Sequence, residues 1–347
     1  MVNDDIAYSD RIIDLPSGFS LIWPFRNLSK SSGPYELFLD NNALITDSWF
    51  DELEIEIKSK SILSPFHALS EQWLSNPLFK KNSVERIEEF IVPFIKKGII
   101  FENNYAKKWT ELLKKNDKES RTQWMISYLY VVLLYRLVSS KKQDNKPKNL
   151  LMSLRDVDVP RFNGCIMLCT LADYIKENKS IKLVGDTKPA FSYISSFVDL
   201  HASKKNESDV DESYLRNRAG DLSMWLYLPA LIQNNYQQAG DAVVVTQDKA
   251  LRKLIFCCLP SVMTEGRKMA FSFDERSFEQ NHSEQIWERI QANTCPPIPP
   301  RDRNEMFEKL KRLKEHVIDG AESKLKTEVN KVWEEWVVPG FFGKFTI

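Results

Sequence analysis

Two spacings of hydrophobic residues alternate along the chain, and they predict strands and helices in turn. Short apolar runs bounded by polar residues, typical of buried strands, occur in YELFLD (residues 35–40) and AVVVTQD (residues 242–248). Apolar residues three and four apart, typical of helices, follow in SPFHALSEQWL (residues 64–74). Strands and helices alternating around residues 37–75 and 220–256 predict an α/β fold with a parallel, doubly wound sheet.

A long helical region is predicted between these two parts of the sheet. Helical spacing continues from residue 83 to about residue 140, and its most apolar run is WMISYLYVVLLY, Trp124 to Tyr135. This run is shorter than the ~20 residues that a membrane helix needs, and it ends at Arg136, so we expect a buried core helix. The region should pack beside the sheet without forming a second one.

The domain organisation follows from these patterns and from the polar or proline-rich stretches between them. CPPIPP, residues 295–300, is a stiff linker before a charged amphipathic helix or helix pair. We expect an N-terminal edge segment with a strand or two at 1–34 and a sheet core in two parts at 35–79 and 211–294. A helical insertion at 80–210 separates the two parts of the core, and a charged helical tail follows at 301–347.

Composition and charge narrow the function classes. The 347 residues are 43% hydrophobic, which is enough for a sizeable core, and 48 Lys and Arg balance 48 Asp and Glu. This balance argues against a protein that coats nucleic acid through net charge, but it allows a local basic groove. The polar start MVNDDIAYSD predicts no signal peptide, and five cysteines predict a reduced, cytoplasmic protein in which Cys165 and Cys169 are core residues.

Four acidic residues lie where predicted strands end or predicted helices begin. Asp40 and Asp248 follow the two strands, whereas Glu71 and Asp221 lie near helix starts. Ligands of open α/β sheets bind at the carboxyl ends of the strands, so these carboxylates could converge there. Clustered carboxylates need a cation to remain ionised, and Mg²⁺ or Mn²⁺ suits an all-oxygen site that activates water.

Each of these acids also has a purely structural explanation. Asp is a preferred N-cap, so Asp40, Asp221 and Asp248 could each cap a following helix. Glu71 lies on a partly apolar helix face, where a buried Arg or Lys could pair with it. Asp186, which follows the apolar run IKLVG, is a rival for the third acid, and Asp241 is a weaker rival, expected in a turn.

Four segments, in order, resemble the conserved segments of PIN-domain nucleases. FLDNNAL resembles the opening segment, ILSPFHALSEQWL the second, AGDLSMWLYLPALI the third and VVVTQDKALRKL the fourth. The resemblance implies a PIN-like three-layer fold with a central parallel sheet and a mainly helical insertion. It also implies Mg²⁺ or Mn²⁺ bound by Asp40, Glu71, Asp221 and Asp248, with Asn42 and Thr246 orienting ligands or water.

The chain departs from that family in two respects. The interval between Glu71 and Asp221 is far longer than in compact PIN domains and requires the insertion. The third segment carries Trp225 and Tyr227 where small residues are expected, and Pro229 should kink its helix.

The resemblance implies a single-strand-specific endonuclease or a 5′-directed nuclease, usually acting on RNA. Substrate contacts should come from basic and aromatic residues near the sheet end, and each basic candidate could instead belong to a solvated helix face or loop. The candidates are Lys249, Arg252, Lys253, Arg216 and Arg218. The alternative function is an inactive PIN-like scaffold that binds a protein or nucleic-acid partner. The insertion or the C-terminal helix could then carry a protein partner or a homo-oligomer contact, and no membrane contact is expected.

Overall fold

The computed structural model describes residues 11–25, 32–141, 144–200, 212–233, 236–248, 253–254, 257–262, 269–296 and 298–342. The chain divides into two compact units. The first comprises Met1–Ser120, Met224–Asp248 and Pro260–Ala270, and the second comprises Arg121–Ser223, Lys249–Leu259 and Phe271–Ile347.

A five-stranded mixed sheet organises the first unit. Its strands are β1 Ile12–Asp14, β2 Ser20–Ile22, β3 Tyr35–Leu39, β4 Ser61–Ser64 and β5 Asp241–Thr246. They lie in the order β1-β2-β5-β3-β4, and β3 pairs in parallel with both β4 and β5. β1 and β2 pair antiparallel with each other, and β2 pairs antiparallel with β5. The protein is therefore mixed α/β, and its sheet is only partly parallel.

Side-chain alternation along β3 explains which face of the sheet carries the core. Leu37 and Leu39 are fully buried and join one hydrophobic cluster with Val243 and Val245 of β5. Successive strand residues point to opposite faces, so the intervening Glu36 and Phe38 lie on the other face. Both faces of β3 are buried, as expected for a central parallel strand.

The first unit also contains several helices. They are α1 Asn41–Ile45, α2 Ser48–Asp51, α3 Ile55–Ser59, α4 Phe66–Ser75, α5 Pro77–Lys81 and α6 Ser83–Lys96. The core that we expected to end near residue 79 continues further, because Ile87, Phe94 and Leu113 join the same cluster as the sheet residues.

Helices also dominate the second unit. α7 Tyr105–Ser139 and α11 Tyr214–Gln233 contribute residues to both units. The others are α8 Lys146–Ser153, α9 Asn163–Glu177, α10 Ala190–Phe197, α12 Gln280–Asn293, α13 Arg303–Ile318, α14 Ser323–Val332 and α15 Val338–Phe342, with a π-helical turn at Trp333–Val337 and a 3₁₀ turn at Glu275–Ser277.

The apolar run of α7 is buried, as the sequence predicts. Tyr128 and Val132 are fully buried, and Trp124 is 5% exposed. Between residues 80 and 200, the described part of the chain forms helices and loops, with an isolated bridge between Lys182 and Pro189. Cys165 and Cys169 of α9 are buried, and burial raises the pKa of both thiols.

A separate two-stranded sheet is formed by β6 Cys258–Val262 and β7 Met269–Phe273. These strands do not join the five-stranded sheet. Among the helices described, none has both the length and the apolar character that a bilayer span requires.

Candidate functional site

Two of the four predicted acids meet where β3 and β5 end. Asp40 follows β3 directly, and its backbone N–H donates to the carbonyl of Val245 in β5 at 3.1 Å. Asp248 lies two residues beyond Thr246, the last residue of β5. Because β3 and β5 are adjacent and parallel, both acids belong to the same end of the sheet, where ligands of α/β sheets bind.

The Asp40 carboxylate is buried and has hydrogen bonds to both of its oxygens. Oδ1 accepts from the backbone N–H of Ala43 at 2.6 Å, and Oδ2 accepts from that of Gln247 at 3.3 Å. The Thr246 hydroxyl also hydrogen-bonds the carboxylate. The bond from Ala43 makes Asp40 the N-cap of α1, so the capping role that we considered is present.

Burial raises the pKa of Asp40 above its ordinary value, and the nearby carboxylate of Asp248 raises it further. Hydrogen bonds from Thr246, Ala43 and Gln247 act in the opposite direction by stabilising the charged form. No Lys or Arg among the described residues forms an ion pair with Asp40. Two carboxylates therefore share this end of the sheet, and a bound cation would offset the charge of the buried one.

This raised pKa makes the stability of the protein depend on pH. The folded state binds the Asp40 proton more tightly than the unfolded chain, so stability decreases as pH rises from about 3.9 through the folded pKa. Asp40→Asn has no titrating carboxylate, and it keeps one oxygen that can accept from the Ala43 N–H, so we expect it to remove this pH dependence. Without divalent cations, its free energy of unfolding should fall less than that of wild type between about pH 4 and pH 7. Urea denaturation at both pH values measures the difference, and an equal fall in both proteins would contradict it.

Thr246 links the two acids. Its hydroxyl bonds the Asp40 carboxylate and also accepts from the backbone N–H of Asp248 at 3.1 Å. The bond to Asp248 is a local side-chain turn that fixes the chain immediately after β5. Thr246 thus holds the Asp40 carboxylate and positions the backbone of Asp248.

Asn41, rather than Asn42, forms a side-chain hydrogen bond next to Asp40. Asn42, which we expected to orient ligands, is exposed on α1. The Asn41 Oδ1 atom accepts from Nε2 of Gln72 on α4 at 2.6 Å, and Nδ2 of Asn76 donates to Oε1 of Gln72 at 3.1 Å. The sequence signal for this link was the amide pair at residues 41 and 42, since spacing alone could not distinguish the two.

Glu71 lies on α4, beside this amide link. It is partly exposed, and its backbone carbonyl accepts from the Ser75 hydroxyl at 2.7 Å. The neighbouring residue Gln72 bonds Asn41, which follows Asp40 in sequence. α4 is therefore held against the end of β3 that carries Asp40.

Asp221 does not lie at the start of its helix, so that prediction and the capping alternative for this residue are wrong. α11 begins at Tyr214 and continues through Gly220, because Leu215, Arg216 and Arg218 favour helix and one glycine is tolerated. Asp221 therefore lies within the helix and pairs with Arg218 at 3.1 Å. It belongs to the second unit.

The described basic candidates form ion pairs. Arg216 pairs with Glu328 at 2.6 Å and with Glu335 at 2.5 Å. Lys253 pairs with Asp186 at 3.1 Å. Lys249 and Arg252 lie outside the described residues. Arg216, Arg218 and Lys253 would therefore have to exchange these carboxylate partners to bind a phosphate.

The two rival acids have different environments. Burial tends to raise the pKa of Asp186, but hydrogen bonds from Tyr193 at 2.7 Å and from Lys253 lower it below its ordinary value. Asp241 is the first residue of β5 and not a turn residue, because its backbone N–H donates to the Pro34 carbonyl and continues the pairing with β3.

The donors at the end of β3 and β5 fit a hard divalent cation. Asp40, Asp248 and Thr246 supply only oxygen atoms, and Mg²⁺ often binds through one or two carboxylates while it keeps several waters. Among the described residues, no group of three or more His, Cys, Asp or Glu lies close enough to hold a metal. The residues brought together are therefore a carboxylate pair with a hydroxyl, not a set of four carboxylates.

No family model, curated protein or solved structure matches this chain. The resemblance to PIN-domain nucleases therefore rests on the four sequence segments alone.

Proposed function

We propose that this protein is a PIN-like, metal-dependent endonuclease that hydrolyses phosphodiester bonds, most readily in single-stranded RNA. The observation that carries the proposal is the position of Asp40 and Asp248 at the carboxyl ends of two adjacent parallel strands. The buried carboxylate of Asp40 has a second acid beside it and no cationic partner among the described residues. This combination favours a bound Mg²⁺ or Mn²⁺.

The residues of the proposed site have distinct roles. Asp40 and Asp248 would hold the cation, and Thr246 and the N–H groups of Ala43 and Gln247 fix the orientation of the Asp40 carboxylate. Glu71 lies on the helix held against the end of β3, but it is a candidate ligand from the resemblance alone, because no third acid lies close enough among the described residues. When bound, the cation would supply water activation and charge stabilisation at the phosphate.

The substrate class comes from the resemblance to the PIN family and from the proposed chemistry. Water, rather than the ribose 2′-hydroxyl, is the attacking group, so the product should carry a 5′-phosphate. The balanced charge of the whole chain favours local contacts with the substrate, and Lys249 and Arg252 follow Asp248 closely in sequence. Asn42 and Asp221 remain candidates from the resemblance alone.

An inactive PIN-like scaffold is the second candidate function. The observation that favours it is that Asp40 already caps α1 and that Asp221 already pairs with Arg218. Acids with structural roles of this kind need no metal, and the protein would then act by binding a protein or nucleic-acid partner. Metal binding distinguishes the two functions.

Calorimetric titration with Mn²⁺ provides that test. We expect the wild-type protein to bind Mn²⁺ and Asp40→Asn to bind it at least roughly tenfold more weakly, because one charged ligand is lost. Asp241→Asn is the matched control, since it removes the same charge from the opposite end of β5 and should leave the affinity unchanged. Equal Mn²⁺ binding by wild type and Asp40→Asn, or none by wild type, would favour the scaffold.

A further inference from the structure

A second buried carboxylate lies on the same strand as Asp40. Glu36 is 2% exposed and lies on the sheet face opposite the main hydrophobic cluster. Its Oε1 accepts from the Tyr236 hydroxyl at 2.5 Å, and its Oε2 accepts from the backbone N–H of Ala239 at 3.0 Å. Both donors are neutral, and no Lys or Arg in the described part of the chain pairs with Glu36. Each carboxylate oxygen retains a further lone pair.

Glu36 forms part of the wall of a cavity of about 660 Å³ in the first unit. Aromatic side chains line it with Glu36, notably Tyr105, Trp109 and Tyr236. Apolar side chains at the same cavity are unusually exposed, with Ile62 at 49% and Ile100 at 95%. Concave sites that combine aromatic walls, exposed apolar surface and a precisely placed polar group are typical of ligand binding.

One lysine, Lys58, adds a positive charge to the lining. Lys58 Nζ donates to the backbone carbonyl of Asp51 at 3.3 Å, and it has no acidic partner among the described residues. Lys108 is exposed and forms an ion pair with Glu102. The charge of Lys108 is balanced by Glu102, which also lines the cavity. The cavity therefore combines a buried acceptor, flat aromatic surfaces and the cationic Lys58, which complement a base, its stacking faces and a phosphate.

We propose that this cavity binds a guanine base and that Glu36 recognises its Watson–Crick edge. Guanine presents two adjacent donors there, the ring N1–H and the 2-amino group, which match the two oxygens of a carboxylate. Adenine and cytosine place an acceptor beside their amino group, and uracil places carbonyls on both sides of its N3–H. Only guanine satisfies both oxygens without bringing a lone pair against the carboxylate.

The source of the base connects this site to the proposed nuclease. Glu36 and Asp40 lie on the same face of β3 and its extension, four residues apart, and so about 13 Å apart along the strand. A guanine held by Glu36 in the substrate strand would then lie about 13 Å from the proposed cation site. The assignment of the guanine to an RNA strand rests on the proposed function, whereas guanine binding itself does not.

Calorimetry with nucleoside 5′-monophosphates, without divalent cations, tests the site. We expect the guanine nucleotide to bind at least about tenfold more tightly than those of adenine, cytosine and uracil. The hypoxanthine nucleotide, which lacks only the 2-amino group, should also bind more weakly. Glu36→Gln should remove this preference, because the carboxamide presents a donor to one of the two guanine donors. Equal binding of all the nucleotides, or no binding, would overturn the proposal.

Glu36 also accepts hydrogen bonds from Tyr236 and Ala239, so Glu36→Gln could lose binding by disturbing the fold. A second variant tests the site without changing Glu36. Ile62→Trp fills the cavity without removing any hydrogen bond of Glu36 and should reduce guanine-nucleotide affinity at least about tenfold. Unchanged affinity in this variant would place the nucleotide elsewhere and refute the site.

Asp40→Asn separates the two proposals. It should retain guanine-nucleotide binding, because Asp40 has no contact with the nucleotide in this proposal. If the wild-type protein binds the guanine nucleotide but does not cleave RNA, the nuclease proposal is refuted and the guanine site stands. If RNA is cleaved, mapping the cut sites shows where the base comes from. A guanine at a fixed distance from the cut indicates a base of the RNA strand, whereas a site for free nucleotides predicts cuts without any preference for guanine.

Discussion

We expect Asp40→Asn and Asp248→Asn each to reduce divalent-dependent cleavage of single-stranded RNA at least roughly 100-fold while the fold persists. Each substitution removes one charge from the proposed cation site and preserves side-chain shape. Asn caps a helix about as well as Asp, so α1 should remain intact in the Asp40 variant. The measurement is the cleavage rate of single- and double-stranded RNA and DNA, with and without Mn²⁺, and circular dichroism checks the fold.

The double variant provides an internal check of the mechanism. Residues that act as one unit are not additive, so it should be little worse than either single variant. Asp241→Asn is the control, because it alters the charge of β5 at the end away from Asp248. A double variant that cuts RNA as fast as wild type would exclude this site and leave the scaffold as the better function.

Local sequence patterns were sufficient to place Asp40 and Asp248 at the same end of the sheet. Both acids follow short apolar runs, and parallel pairing of such buried strands brings their carboxyl ends together. The buried helix around Tyr128 was equally predictable, because an apolar run of that length has no polar face to expose. In each case the decisive information lies within about ten consecutive residues.

Features that depend on helix phase or on distant partners could not be predicted in the same way. Ser213, a residue type that often caps helices, directly precedes Tyr214, but the polar stretch before it favours a loop, so the helix start was predicted at Asp221, seven residues beyond the observed start. Asn41 rather than Asn42 meets Gln72 because of the direction in which α1 begins, which spacing does not fix. The pairing of Arg216 with Glu328 joins residues far apart in sequence.

The burial of Glu36 could be predicted from the sequence only in part. A single acid inside the apolar stretch YELFL is a visible signal that a buried strand carries a polar group. Its partners, Tyr236 and the N–H of Ala239, lie about two hundred residues later, so only the folded chain reveals how the charge is accommodated.

The second large effect concerns the packing beneath the proposed site. Trp49 of α2 is fully buried and contacts the rings of Phe19, Phe50 and Phe94. The Trp49 indole N–H donates to the Ala43 carbonyl at 2.9 Å, and the backbone N–H of Ala43 donates to Asp40. We expect Trp49→Ala to destabilise the first unit by about 3–5 kcal/mol, because a large cavity opens in its core.

Native-state hydrogen exchange of peptides that cover β3 and β5 measures the free energy of opening of this unit directly. Trp49→Phe should cost about 1–2 kcal/mol, since it keeps a ring in the cluster but removes the hydrogen bond to Ala43. Ile55→Ala is the surface control, because Ile55 is 86% exposed and its truncation should change the opening free energy by less than about 0.5 kcal/mol. Equal losses for the phenylalanine and alanine variants would show that the hydrogen bond to Ala43, rather than ring packing, stabilises this region. The position of Ala43, whose N–H donates to Asp40, would then depend on the bond from the Trp49 indole, and Trp49→Phe should weaken Mn²⁺ binding as well.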